Sequence, residues 1–186
     1  MTTLVGFASA HGSTAEIAER VGAGLRARHV EVDVRAVAEV GDPSRYTAFV
    51  LGSAVHDMAW LPQATDFVAA HEDLLVTRPV WVFSVGMPAA LRGPWKAFAP
   101  REEQHVVGEL LARLRPRGHA LFSGVVAEDH LPPAGRAIFR AMGLRFGDYR
   151  DWGAIDAFAE DVARVLAPAP PPGTPPEGGA GRGTPP

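Results

Sequence analysis

At residues 7–21 the chain reads FASAHGSTAEIAERV. An apolar run ends at small and hydroxyl-bearing residues, and a helical pattern with apolar positions such as Ile17 and Val21 follows at once. Ser13 with Glu16 three residues later fits a capping box, which predicts that a helix begins here. Packing alone does not call for so many hydrogen-bonding groups at a strand–helix junction. The stretch therefore indicates that a polar ligand lies against it.

The composition bounds the class of protein. The chain has 186 residues, 47% of them hydrophobic, and a formal net charge of −3. That balance lacks the basic excess of a nucleic-acid-binding protein, so no nucleic-acid partner is expected. Cysteine is absent and the seven histidines share no metal-binding spacing, so no metal site is expected. The chain shows no leader-like or membrane-spanning run, which predicts a soluble, cytoplasmic protein.

The chain divides into a folded domain and a tail. Residues 167–186 read APAPPPGTPPEGGAGRGTPP and offer almost nothing to bury. Such a segment cannot offset the entropy of ordering itself, so we expect a disordered Pro/Gly-rich tail. The folded domain is predicted to span residues 1–166.

Strands and helices are predicted to alternate along this domain. The expected strands are 3–8, 30–37, 46–54, 79–86 and 119–127. The expected helices are 13–28, 62–75, 102–115 and 153–166. The strict alternation of residues 30–37 is typical of a strand at a sheet edge. The pattern predicts an α/β fold of three layers, in which helices cover both faces of a five-stranded parallel sheet of order 2-1-3-4-5.

The loop from Ser9 to Thr14 lies at the switch point of that order, where ligands bind. A helix N-terminus attracts anions, and this loop adds hydroxyl donors. A Walker loop is excluded because the only lysine of the chain is Lys96, and a dinucleotide fingerprint because the loop has a single glycine. A receiver domain would need acidic residues at the ends of strands 1 and 3. The alternative to an anion site is a simple helix cap.

The loop resembles the phosphate loop of the flavodoxin family. The matching positions are Phe7, Ser9, Gly12, Thr14, Ala18 and Val21. One departure is Gly6, where the family has a larger apolar residue, which affects packing more than binding. The resemblance implies a flavodoxin-like fold and FMN as the cofactor, with its phosphate held by N–H groups and hydroxyls without a cation.

The resemblance also implies which loops contact the cofactor. The candidate FMN-binding residues are Ser9, Ala10, His11, Gly12, Ser13 and Thr14 in the first loop, Ser53, Ala54, Val55, His56 and Trp60 in the second, and Ser84, Val85, Gly86 and Met87 in the third. Trp60 is the first candidate to stack on the flavin ring and Trp95 the second. The alternative for either tryptophan is ordinary core packing.

Two further stretches resemble bacterial flavodoxin-domain protoporphyrinogen oxidases of the quinone-dependent type. They are GSAVHDMAWLPQATDFVAAH, residues 52–71, and DYRDWGAIDAFAEDVA, residues 148–163. This resemblance implies an FMN-dependent oxidoreductase that oxidises a porphyrin-type substrate and passes electrons to a membrane quinone. The segment 86–103 departs from that family, because its only basic residues are Arg92, Lys96 and Arg101.

Three hypotheses for the function therefore follow from the sequence. The first is the oxidase-like enzyme, for which residues 130–146 combine apolar and arginine side chains as a peripheral membrane contact would. The second is a diffusible flavodoxin electron carrier with a redox partner, although such carriers are strongly acidic and −3 is mild. The third is a cofactor-free interaction module on the same fold. No acid–base pair stands out, so no catalytic residue is assigned and FMN would carry the chemistry.

Overall fold

A computed structural model describes residues 1–57, 59–86, 108, 110, 112–130, 133–141 and 145–167. The strands are β1 Thr2–Ala8, β2 Glu31–Ala36, β3 Ala48–His56, β4 Ala59–Trp60, β5 Val80–Gly86, β6 Gly118–Ser123, β7 Val125–Val126 and β8 Gly147–Asp148. The main sheet has the order β2-β1-β3-β5-β6, all parallel, and β4 pairs antiparallel with β3. Counting only the parallel strands gives the predicted order 2-1-3-4-5, and the predicted fold class is confirmed.

The helices are α1 Ser13–Arg26, α2 Pro62–Ala70, α3 Glu72–Leu75, α4 Pro133–Ala141 and α5 Trp152–Leu166. The predicted helix 62–75 is interrupted at His71, whose φ of −124° leaves the helical range. The predicted helix 102–115 falls mainly outside the described residues, although 112–114 are helical. The predicted strand 119–127 is divided at Gly124 into β6 and β7.

Apolar side chains cover both faces of the sheet. On one face, Ile17 and Val21 of α1 pack with Ile155 and Phe158 of α5 in a single buried cluster. On the other face, Phe67 and Val68 of α2 and Leu75 of α3 pack against residues of β1, β3 and β5. Each such buried side chain contributes about 1.5–3 kcal/mol to stability. The two clusters hold the helices against the two faces of the sheet, and the carboxyl ends of the strands lie between these helices at one edge.

The start of α1 differs in detail from the expected capping box. The residue at the N-cap is Gly12, not Ser13, and no side chain caps the helix. Gly12 has φ +91°, a left-handed conformation that glycine adopts without steric cost. Ser13 is already the first helical residue, so its side chain is directed elsewhere. The helix begins where the sequence predicted, but backbone conformation sets its start.

The edge strand β2 carries a partly buried charge network. The Tyr46 hydroxyl donates to Asp33 Oδ2 at 2.5 Å, and Arg35 donates to both carboxylate oxygens at 2.9 and 3.0 Å. Burial opposes ionisation of Asp33, but the hydrogen bonds from Arg35 and Tyr46 outweigh it and lower its pKa. This network attaches the start of β3 to the sheet edge.

Gly52 is required by the ring of Phe83 on the neighbouring strand. A Cβ added at Gly52 would lie 2.0–2.5 Å from three atoms of that ring. We expect Gly52→Ala to destabilise the fold by about 3 kcal/mol, because an overpacked core must shift. Gly41→Ala is the matched control, since a Cβ there meets no atom within 4 Å. Urea unfolding of both variants measures the difference, and equal midpoints would contradict this packing.

The Asp33 network predicts a pH-dependent stability. The pKa of Asp33 is lower in the folded than in the unfolded chain, so its contribution is present above about pH 4 and lost as pH falls through the folded value. Asp33→Asn should cost about 1–2 kcal/mol at pH 7, and the gap to wild type should narrow as the solution is acidified. Chemical unfolding over a pH series tests this. Asp161→Asn, at an exposed pair with Arg164, serves as the control.

Candidate functional site

An open groove lies at the carboxyl edge of the sheet, where β1, β3, β5 and β6 all end. The empty space between its walls is about 720 Å³ and includes space open to solvent. After β1 and β3 the chain turns to opposite faces of the sheet, so the loops part at this point. Four walls surround it, each formed by the end of one of these strands or by the segment that follows it.

The first loop places a helix N-terminus at the groove. Ala10, His11, Ser13 and Thr14 line it, while Ser9 and Gly12 form the turn behind them. Ser9 Oγ accepts from the Gly12 N–H at 2.9 Å and so holds the turn closed. The first helical bond runs from the Glu16 N–H to the Gly12 carbonyl, at 3.0 Å. The preceding N–H groups of α1 have no intrahelical partner and face this edge.

Thr14 is the most informative residue of the loop. Its side chain is 0% exposed, and among the described residues its Oγ1 has no hydrogen-bond partner. A buried hydroxyl left unpaired costs about 1–3 kcal/mol, and such groups are rare in native structures. Because Thr14 also lines the groove, a ligand oxygen there would supply the missing partner.

The acidic residue in the first turn of α1 is paired with an arginine. Glu16 in the first turn would repel an anion, but its carboxylate binds Arg150 Nη1 at 2.5 Å. Arg150 also binds Asp148 at 2.6 Å, and this hydrogen bonding raises the pKa of Arg150 despite burial. Within the described chain the groove lining contains no lysine or arginine. N–H groups, hydroxyls and imidazoles are therefore the donors that an anion meets.

The second loop contributes only part of its predicted set. Ala54, Val55 and His56 line the groove. Ser53 does not reach it, because its side chain is fully buried and its Oγ donates to the Ala54 carbonyl at 2.8 Å. The same oxygen accepts from the Leu61 N–H at 3.0 Å. Ser53 thus braces the loop from behind.

The structure contradicts the expectation that Trp60 stacks on a ring in the groove. Trp60 is 4% exposed and packs in the core cluster on the α2 face of the sheet. Its Nε1 donates to Ser84 Oγ at 2.8 Å, and Ser84 itself is 1% exposed. A buried indole N–H requires such a partner. The side chains of Trp60 and Ser84 therefore tie β4 to β5 beneath the site instead of contacting a ligand.

The third wall is the end of β5, because the loop that follows lies outside the described residues. Val85 and Gly86 line the groove, whereas Met87 and Trp95 lie outside the described residues. The Gly86 carbonyl accepts from the Gly124 N–H at 3.0 Å. That bond brings the loop after β6 against the end of β5.

Sequence reasoning missed the fourth wall, formed after β6. Gly124, Val125, Val126 and His130 line the groove. A Cβ at Gly124 would lie 3.0 Å from Ser13 Oγ, so glycine permits this loop to approach α1 closely. The signal available in the sequence was a glycine directly after the fifth predicted strand, at the same edge as the other loops.

His130 and His11 join the first and fourth walls. Their rings stack with centroids 3.9 Å apart and an angle of 11° between the planes. His130 is half-buried, and its Nδ1 lies 3.4 Å from the Ala127 N–H. His56 stands in the second wall, so three imidazoles surround the groove.

Helix α4 packs inward rather than presenting its aromatic residues. Phe139 is 6% exposed, stacks on Phe146 at 4.8 Å between ring centroids, and belongs to a small cluster with Val126 and Tyr149. Arg140 binds Glu128. Phe139 is thus unavailable for the expected membrane contact of residues 130–146, and Met142 and Leu144 lie outside the described residues.

Two features are absent from the described residues. None of their helices is long and apolar enough to cross a membrane. Nor do their histidine, aspartate and glutamate side chains gather anywhere in a group that could hold a metal ion.

Comparison with solved structures gives the same fold. A flavodoxin from the domain Archaea is 15% identical, with 89% of this chain and 99% of that chain covered and a TM-score of 0.53. A Streptococcus pneumoniae flavodoxin is 17% identical, with 89% and 100% covered and a TM-score of 0.55. The rubredoxin oxygen:oxidoreductase of Desulfovibrio gigas is 13% identical, with 89% of this chain but 36% of that chain covered and a TM-score of 0.57.

The comparison with protein families shows to which family the chain belongs. No curated protein matches it significantly. The family model described as a flavodoxin domain matches residues 4–148, which include most of β1, the loop to α1 and the other four parallel strands. The chain therefore belongs to the flavodoxin domain family.

Proposed function

We propose that the groove binds FMN and that the protein is an FMN-dependent electron-transfer protein. Flavodoxin domains bind FMN. The single observation that carries the proposal is the buried, unpartnered Thr14 hydroxyl beside the N-terminus of α1. A phosphate oxygen is the ligand atom that suits this hydroxyl together with the free N–H groups.

The residues present fit that cofactor. The N–H groups of the first turn of α1 and the hydroxyls of Ser13 and Thr14 would hold the phosphate, since all face the groove. Val55 and His56 on one side and Val85 and Gly86 on the other would flank the ring. When bound, FMN supplies one- and two-electron transfer. The protein's part is to hold the cofactor and to exclude water from its inner side.

Two functions remain open for the bound form. The electron carrier needs only the groove and a redox partner. The oxidase-like enzyme needs a porphyrin-type substrate and a quinone acceptor, and the family match and the structural neighbours do not favour it. The mild net charge of −3 favours the oxidase-like enzyme, because a carrier that steers to basic partners is usually strongly acidic.

Thr14→Val provides the test of the cofactor site. Valine matches the shape of threonine but removes the hydroxyl, so FMN affinity should fall about tenfold. The cofactor-free variant should be as stable as wild type or more so, because a buried unpaired group is gone. Fluorescence titration with FMN and thermal unfolding measure both. Thr65→Val, at an exposed position of α2, is the control.

Wild-type protein that takes up no FMN would refute the proposal, as would a Thr14→Val variant that binds FMN as tightly as wild type does. With FMN bound, quinone-dependent oxidation of protoporphyrinogen separates the two functions. Turnover would identify the enzyme. Absence of turnover, with rapid electron exchange with a redox protein, would identify the carrier.

The His11–His130 stack predicts a contribution from the fourth wall. An aromatic pair is worth about 0.5–1.5 kcal/mol, so His130→Ala should weaken FMN binding about two- to tenfold by loosening the first loop. His130→Phe should restore most of the affinity, because it keeps a ring in the stack. His29→Asn, at the far end of α1, is the control and tolerates the positive φ of that position. Equal affinities of the alanine and phenylalanine variants would show that the stack has no role.

A further inference from the structure

A second cleft lies at the amino edge of the sheet, opposite the groove in which we propose that FMN binds. It is formed by the segment 76–80 leading into β5 and the segment 112–117 leading into β6. The Arg117 N–H donates to the Val80 carbonyl at 2.7 Å and joins the two segments. The empty volume is about 1000 Å³, part of it open to solvent.

Arginine dominates the walls of this cleft. Arg78, Arg113, Arg115 and Arg117 all line it, and none of its described lining residues carries a carboxylate. We call these four residues and the space between them the arginine cleft. Arg113 Nε donates to Glu72 Oε1 at 3.2 Å, so the positive charge of Arg113 is balanced by a carboxylate that does not line the cleft.

The other three arginines lack such compensation. Across the described chain, Arg20, Arg28 and Arg140 each bind a carboxylate on a neighbouring element. By contrast, Arg78, Arg115 and Arg117 have no carboxylate partner among the described residues. A protein of net charge −3 therefore concentrates unpaired positive charge in one concave place.

The backbone at Arg115 adds an independent observation. Its φ is +45°, in the left-handed region, directly after the helical residues 112–114. Glycine is the usual residue at such a helix end, because a side chain there costs about 1 kcal/mol. The turn places Arg115 at the cleft, although glycine would adopt this conformation at lower cost.

We propose that the arginine cleft binds a compact small molecule bearing two or more phosphate groups. The planar guanidinium donates paired hydrogen bonds to phosphate oxygens, and three unpaired guanidinium groups match the charge of a pyrophosphate or nucleoside diphosphate moiety. A single carboxylate would leave most of this charge unmatched. The concave shape favours a small anion over a flat surface of another macromolecule.

This site is separate from the FMN groove. The seven residues of β5 lie between the two, a length of about 23 Å at 3.3 Å per residue. One bound phosphate compound cannot serve both ends of the strand. The proposal therefore stands whether or not the groove binds FMN.

Titration of the full-length protein with inorganic pyrophosphate at low salt, followed by amide NMR, tests the proposal. We expect saturable shifts at residues 76–80 and 113–118, with an affinity that falls as salt is added. Arg115→Gly should lower this affinity about tenfold while keeping or raising the melting temperature, because glycine adopts the left-handed conformation freely. Preserved stability separates lost binding from lost folding.

Arg164→Ala is the matched control, since it removes the same charge from an exposed position of α5 that does not line the cleft. It should change pyrophosphate affinity less than twofold. Three results would overturn the proposal: no shifts, shifts confined to residues 12–16 of the flavin groove, or equal weakening by Arg115→Gly and Arg164→Ala. Binding only to anionic phospholipid vesicles, with none to pyrophosphate, would overturn it as well.

Discussion

The left-handed turn at Gly12 is the constraint on which the site depends. Because the chain turns there at φ +91°, α1 starts immediately after β1 and its free N–H groups stand at the carboxyl edge of the sheet. The same turn buries Thr14 without a partner for its hydroxyl. The helix then packs through Ile17 and Val21 into the core, so this geometry is held by the whole face of the sheet. Packing of α1 against the sheet thus holds the start of the helix in place.

Most of the fold could be predicted from the sequence, because its signals are local. Continuous apolar runs identify buried parallel strands, and the alternation of residues 30–37 places β2 at the edge. The Ser9–Thr14 loop and the residues 54–56 and 85–86 were also accessible, since strand ends at one edge must meet. Gly124 and His130 were missed because their approach to α1 depends on how the fifth strand ends, which no local pattern states.

The misassigned tryptophan shows where sequence reasoning stops. An aromatic residue in a loop after a central strand can face a ligand or the core, and the composition of the loop is the same in both cases. Here the short strand β4 pairs back on β3 and carries Trp60 under the sheet, where Ser84 accepts its N–H. The two buried serines, Ser53 and Ser84, serve this packing, although their position in the sequence suggested binding. Tertiary pairing decides such roles.

If the N-terminus of α1 holds the phosphate of FMN, phosphorus NMR of the protein loaded with FMN will detect it. Free phosphate monoesters titrate with a second pKa of about 6. A phosphate held by the N–H groups of α1 and the Thr14 hydroxyl is stabilised as the dianion, so its resonance should stay constant from about pH 5.5 to pH 8. A resonance that titrates as that of free FMN does would show that the N-terminus of α1 does not hold the phosphate.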